Sequence, residues 1–161
     1  MTPNSLAFIA LCNEYCAAVE NCMESETRDF IQSMLRLLPR IYMSATDIAE
    51  DAFDEGYIDP ALDEDQYETV RRNVAALMGK DDTYLEVFEE DMKYSDTPIA
   101  TSVSENLADL FQVFYNLLET VRDATDENAG LALTAVKEEF ANYWGQTLCN
   151  VLRALNSIYY N

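Results

Sequence analysis

Apolar residues recurring at intervals of three and four leave this chain little choice but helix. The cleanest stripe is Val103, Leu107, Leu110, Phe114, Leu117 and Val121. An earlier stripe, Ile9, Cys12, Cys16, Val19 and Met23, predicts a helix over 5–23, with Asn4 or Ser5 as N-cap. The three residues 24–26 allow only a tight turn, so the next helix must return antiparallel beside the first. That second helix carries Phe30, Met34, Leu37, Ile41 and Ile48, with Ile31, Leu35, Leu38 and Tyr42 alongside. Pro39 lies inside it and predicts a kink near 35–39, because proline lacks the backbone donor and crowds the carbonyl four residues back. A third pattern, Tyr67, Val70, Val74, Leu77 and Met78, opens at Asp63 or Asp65 and stops at Gly79. From Asp126 onward Leu133, Val136, Phe140, Trp144, Leu148, Val151, Leu155 and Ile158 continue the theme. Roughly thirty residues at ~1.5 Å each would make a rod of ~50 Å, so a break or bend is expected near Gly145. No segment alternates as a half-buried strand does. The expectation is an all-α, antiparallel up-and-down bundle of about five main helices plus one short helix, forming a single domain over 1–161.

The short helix is expected at 84–90, capped by Asp81 or Asp82, because Tyr84, Leu85, Val87 and Phe88 are too apolar for a free loop. Asp96 and Pro98 then mark a turn, and Ser102 with Glu105 three residues on reads as a capping box for the helix over 103–121. A polar line of Ser102, Glu105, Asp109, Gln112 and Asn116 runs along the far side of that helix.

Charge narrows the partners. Ten Lys and Arg against 30 Asp and Glu give a formal net charge of −20. Such a chain repels phosphate backbones and anionic lipid, so neither nucleic acid nor membrane is expected, whereas a protein with a basic surface or a cation is. The sequence has no histidine, which removes the Ser-His-Asp and Cys-His arrangements and every His-containing metal site. Cys12, Cys16, Cys22 and Cys149 show no C-x-x-C spacing and read as reduced thiols facing the core, which suits a cytoplasmic location. The first basic residue is Arg28 and Leu11 precedes Cys12, so the N-terminal apolar run reads as a mature helix start, not an export signal. Residues 47–68 are acidic throughout. A calcium loop beginning at Asp51 fails because Phe53 and Leu62 stand where oxygen ligands are needed, leaving a solvated loop broken by Gly56 and Pro60. No metal site or cofactor motif is found.

Short motifs in order carry a family likeness: Tyr84-Leu85-Glu86-Val87-Phe88, then Ser104-Glu105-Asn106-Leu107-Ala108-Asp109-Leu110, then Trp144-Gly145 and Leu152-Arg153-Ala154-Leu155. These resemble a bacterial all-helical domain-of-unknown-function family, number 5063, from about Leu77 to Ile158. The chain departs from it at Glu89-Glu90, where Asp-Pro is common, and at Asn106, where an acid is common. The resemblance implies the fold and brings no activity.

Trp144 and Arg153 are the expected structural anchors, the former in the core and the latter within ion-pair reach of Asp109 across the bundle. The candidate binding residues are Tyr84, Glu86, Phe88, Tyr94, Asp96 and Asp109, carboxylates over an aromatic floor. No catalytic residue is assigned. The favoured reading is a non-catalytic interaction module, an inhibitor or adaptor offering an acidic, tyrosine-rich surface to a basic protein. The alternative is an enzyme or a small-ligand or cation-binding protein using the carboxylates and tyrosines of 81–109. A ligand site predicts a hollow in which those carboxylates converge, and a module predicts them dispersed or paired.

Overall fold

Every apolar stripe becomes a helix. The computed structural model describes residues 1–49, 55–86 and 99–161. Its helices are α1 (Pro3–Glu20), α2 (Thr27–Thr46), α3 (Glu64–Met78), α4 (Val103–Val121), α5 (Asp126–Glu139) and α6 (Gly145–Tyr160). A π-helical turn, Phe140–Trp144, joins the last two, so α5 and α6 together are the long helix expected from the sequence. Within the all-α bundle α4 is the hub, packing against α1, α3, α5 and α6. Its Leu107, Leu110, Phe114 and Leu117 are fully buried.

Local chemistry sets the helix ends. α1 starts earlier than expected, because Pro3 suits the first turn and the Thr2 hydroxyl accepts from the Ser5 N–H. Asp63 and Gln66 form a reciprocal capping box on α3, and Gly79, with φ of 57°, ends it. Pro39 is carried inside α2, which remains helical on both sides of it. The expected buried stripe of α1 shifts: Phe8, Cys12, Tyr15, Cys16 and Val19 face inward, whereas Met23, beyond the helix end, is 55% exposed. Cys149 is a second correction. It is exposed, unlike the other three cysteines.

The largest departure lies at 83–86. Where the short helix was expected to begin, the chain forms a strand, β1 (Thr83–Glu86), paired antiparallel with β2 (Ile99–Ser102) in the register Thr83↔Ser102 to Glu86↔Ile99, and 87–90 of that helix lie outside the described residues. Apolar content alone does not separate the two forms in so short a segment. Asp82 then fixes the start of α4. Its backbone carbonyl accepts from the Val103 N–H at 2.8 Å, and its carboxylate accepts from the Ser104 N–H at 2.8 Å and the Ser104 hydroxyl at 2.7 Å. Ser102 caps α4 by accepting from the Glu105 N–H, but the return bond of a capping box is not formed.

The acidic connection before α3 is pinned where a solvated loop was expected. Tyr57 N–H donates to the Leu131 carbonyl, Asp59 N–H to the Thr120 hydroxyl, and the N–H groups of Ala61 and Leu62 to the Asn116 side chain. Gly56 lies so near α5 that a Cβ there would stand 2.2 Å from the Ala135 nitrogen. The first four positions of the rejected calcium loop, 51–54, lie outside the described residues, as do the Phe88, Tyr94 and Asp96 positions.

The core is aromatic where the long helix crosses α1 and α4. Trp144 is fully buried, with Phe140 4.6 Å, Phe114 5.2 Å and Phe8 6.2 Å from it between ring centroids. Its indole N–H donates to the Val136 carbonyl at 2.9 Å. The wider π turn carries the Gly145 N–H to the Phe140 carbonyl, five residues back. A Cβ on Gly145 would stand 2.6 Å from that oxygen and 3.1 Å from the Phe140 ring. Gly145→Ala is therefore expected to cost about 1–3 kcal/mol of unfolding free energy, the range for overpacking. Chemical denaturation of the two proteins checks this.

Candidate functional site

The polar line of α4 meets a second polar line on the π turn and α6, and a hollow of about 330 Å³ opens between them. Glu105, Asn106 and Asp109 face it from α4, and Asn142, Gln146 and Asn150 from the other side. Glu86, at the end of β1, and Thr101, on β2, close it at the hairpin. Glu86, Glu105 and Asp109 thus share one cavity, and no Lys or Arg lies among its described lining residues. A second hollow of about 470 Å³ continues along α4 past Gln112 and Asn116 toward Glu139 and Pro60. Asp109 and Tyr143 line both.

Asp109 sits between two phenols. The Tyr67 hydroxyl donates to Oδ1 at 2.6 Å and the Tyr143 hydroxyl to Oδ2 at 3.0 Å. Two elements converge here by design of their ends: the capping box orients α3 and hence Tyr67, and the π turn presents Tyr143. Arg153 is not the partner expected for Asp109. It stands exposed on α6 beside a separate hollow that Lys80 and Tyr84 also line. Asp109 is therefore held by neutral donors from two elements. Partial burial, then the hydrogen bond and charge of Asp109, push the Tyr67 phenol well above its ordinary range. Partial burial, then the charge and hydrogen bond of Asp109, push Tyr143 up to about 12. Across the second hollow, burial and the neighbouring charge of Glu138 raise Glu139.

Tyr84 turns its hydroxyl to the Asn106 side chain, so it braces the hairpin against α4. Glu86 is 4% exposed and engaged. Of the three candidate binding residues among the described ones, Glu86 and Asp109 line one hollow and Tyr84 lines the separate hollow beside Arg153. The sequence reading overlooked Tyr67, Asn142, Tyr143, Gln146 and Asn150. Asn142, Gln146 and Asn150 carried a usable signal: four-residue spacing beside the apolar stripe of the last helix. Among the described residues, no three His, Cys, Asp or Glu side chains stand close enough to hold a metal ion. The carboxylates are spread around the wall.

Matching with known proteins places the chain in a family. Over residues 1–161 it matches the family described as "Domain of unknown function (DUF5063)", and it belongs to that family. Among solved structures it is similar to protein BF1032 from Bacteroides fragilis, known from a crystal structure. The two share 28% sequence identity and a TM-score of 0.83, over 98% of this chain and 92% of that one. No curated protein matches it. The described residues contain no helix long and apolar enough to cross a membrane.

The Tyr67–Asp109–Tyr143 bridge makes a pH-dependent contribution with a definite sign. Both phenols are raised in the fold, so the bridge contributes fully below the ordinary tyrosine value of about 10 and is lost as pH rises through the folded values. Asp109→Asn is expected to cost about 1–3 kcal/mol at neutral pH, as for hydrogen bonds to a charged group. It should also return the Tyr143 titration from about 12 toward the ordinary value. Denaturation at neutral pH and phenolate absorbance on alkaline titration check the two parts.

Proposed function

We propose that this member of the DUF5063 family binds a small organic cation in the hollow between α4 and α6. The observation that carries the reading is the convergence of Glu105 and Asp109 on one cavity in which no described lining residue is a Lys or Arg. Of the two functions expected from sequence, the ligand site is the one that called for such a hollow. The volume of about 330 Å³ falls in the range of small-molecule sites.

The chemistry of the wall favours an amine or guanidine. Separated carboxylates and amide carbonyls suit a ligand whose N–H donors fan outward, whereas a metal ion wants its oxygens gathered at one point. The side-chain amides of Asn142, Gln146 and Asn150 add donors and acceptors that orient a polar ligand. A net charge of −20 raises the local concentration of cations around the whole molecule and speeds their arrival. The phenols at Asp109 keep that carboxylate placed without cancelling its charge. The roles follow: Glu105 and Asp109 as counter-charges, Asn106, Asn142, Gln146 and Asn150 as hydrogen-bonding wall.

Putrescine and its neutral analogue butanediol separate charge recognition from polarity. Binding to the folded state alone stabilises it by about 2.7 kcal/mol at a hundredfold excess over Kd. Putrescine is therefore expected to raise Tm in a saturable way, and butanediol is not. Glu105→Gln, at an exposed position, should weaken the effect of putrescine about tenfold without changing the Tm of the free protein. Equal shifts from the diamine and the diol, or none from either, would remove the proposal.

A further inference from the structure

A second surface, sharing no lining residue with the Asp109 hollow, lies where α3 crosses α4. Its floor is apolar: Leu62, Val70, Phe111 and Tyr115, with the two rings stacked at 5.6 Å and 22°. Its rim carries Glu20, Asp63 and Asp65, and none of the described residues lining it is a Lys or Arg. The volume is about 320 Å³. We infer that this groove is a docking site for a basic segment of a partner protein, which inserts one arginine side chain between the rings and the acidic rim.

Three observations select that occupant. The floor offers the part-exposed Tyr115 ring backed by the buried Phe111, and guanidinium stacks on such a ring while its aliphatic stem lies along the edges of Leu62 and Val70. The rim supplies only negative charge, so a cation at the mouth meets complementary potential on approach and hydrogen-bond acceptors on arrival. The chain makes the same contact within itself: the Arg28 guanidinium lies 4.1 Å over the Tyr159 ring. A purely apolar occupant would fill the floor but leave Glu20 and Asp65 without a counter-charge, Asp63 being occupied in capping α3. Arginine fits better than lysine because its planar group stacks and donates in a fork at once.

The test uses the full chain and a capped pentapeptide, Ala-Leu-Arg-Leu-Ala, beside the same peptide with citrulline, which keeps the shape and removes the charge. Binding is followed by NMR at moderate salt. The expected result is saturable shifts confined to Leu62, Val70, Phe111 and Tyr115, with the citrulline peptide about tenfold weaker. Asp65→Asn should weaken the arginine peptide several-fold. Thr69→Arg, an exposed rim position, should block it by supplying a guanidinium from the chain itself. Glu105→Gln should leave it unchanged, which separates this groove from the cation hollow. The inference is overturned by equal affinity for the two peptides, by shifts scattered over the acidic surface, by no saturable binding, or by self-association of the chain through these residues.

Discussion

The Trp144 indole N–H reaches back eight residues to the Val136 carbonyl, and the rest of the site hangs on that bond. Trp144 is locked among Phe8, Phe114 and Phe140 and cannot turn without opening the core. With its neighbour fixed inward, Tyr143 is directed outward toward Asp109. The spacing of the stripe explains why a π turn is needed. Val136, Phe140, Trp144 and Leu148 are separated by three successive steps of four residues. In an ideal α-helix each such step drifts ~40° from the seam. A wider turn absorbs the drift, keeps all four residues on the core, and displaces the residues between them. π turns recur at functional sites for this reason. Here the displaced residues are Asn142 and Tyr143.

Carboxylates do structural work in this chain as hydrogen-bond acceptors. Asp82 holds the first turn of α4, and Asp63 caps α3, each satisfying N–H groups that a helix end leaves open. Asp109 is held by phenols instead of a cation. The distinction matters, because a salt bridge to Arg153 would have neutralised the carboxylate, whereas tyrosines place it and leave its charge directed at the hollow. Acidic groups therefore serve two purposes along α4: Asp82 anchors the helix and Glu105 and Asp109 charge its polar face.

The helices were legible because burial of one face imposes a period that side chains cannot disguise. Leu133 through Leu155 gave the long helix, and Gly145 gave the place where it changes. The hairpin was not legible: Tyr84 and Leu85 are as compatible with a strand as with a helix, and pairing of 83–86 with 99–102 is a long-range choice. Nor was the pinning of the 55–62 segment. Its bonds run through backbone N–H groups, which composition does not reveal, to acceptors such as Asn116 and Thr120. Half of the candidate site was readable. The α4 line of Glu105, Asp109, Gln112 and Asn116 stood out, and Glu86 and Asp109 were two of the six candidate binding residues. The facing line of Asn142, Gln146 and Asn150 was hidden behind a stronger apolar signal on the same helix. Arg153 was assigned to Asp109 on charge alone, whereas neutral tyrosines from α3 and the π turn lie nearer.

The central claim is that two polar helix faces, brought together by the π turn, form a receptor for an organic cation. The most direct measurement is an NMR titration of the side-chain amides with putrescine. The account predicts saturable shifts of the Asn106, Asn142, Gln146 and Asn150 amides with one common dissociation constant. A uniform drift of resonances across the acidic surface, tracking ionic strength and never saturating, would contradict it.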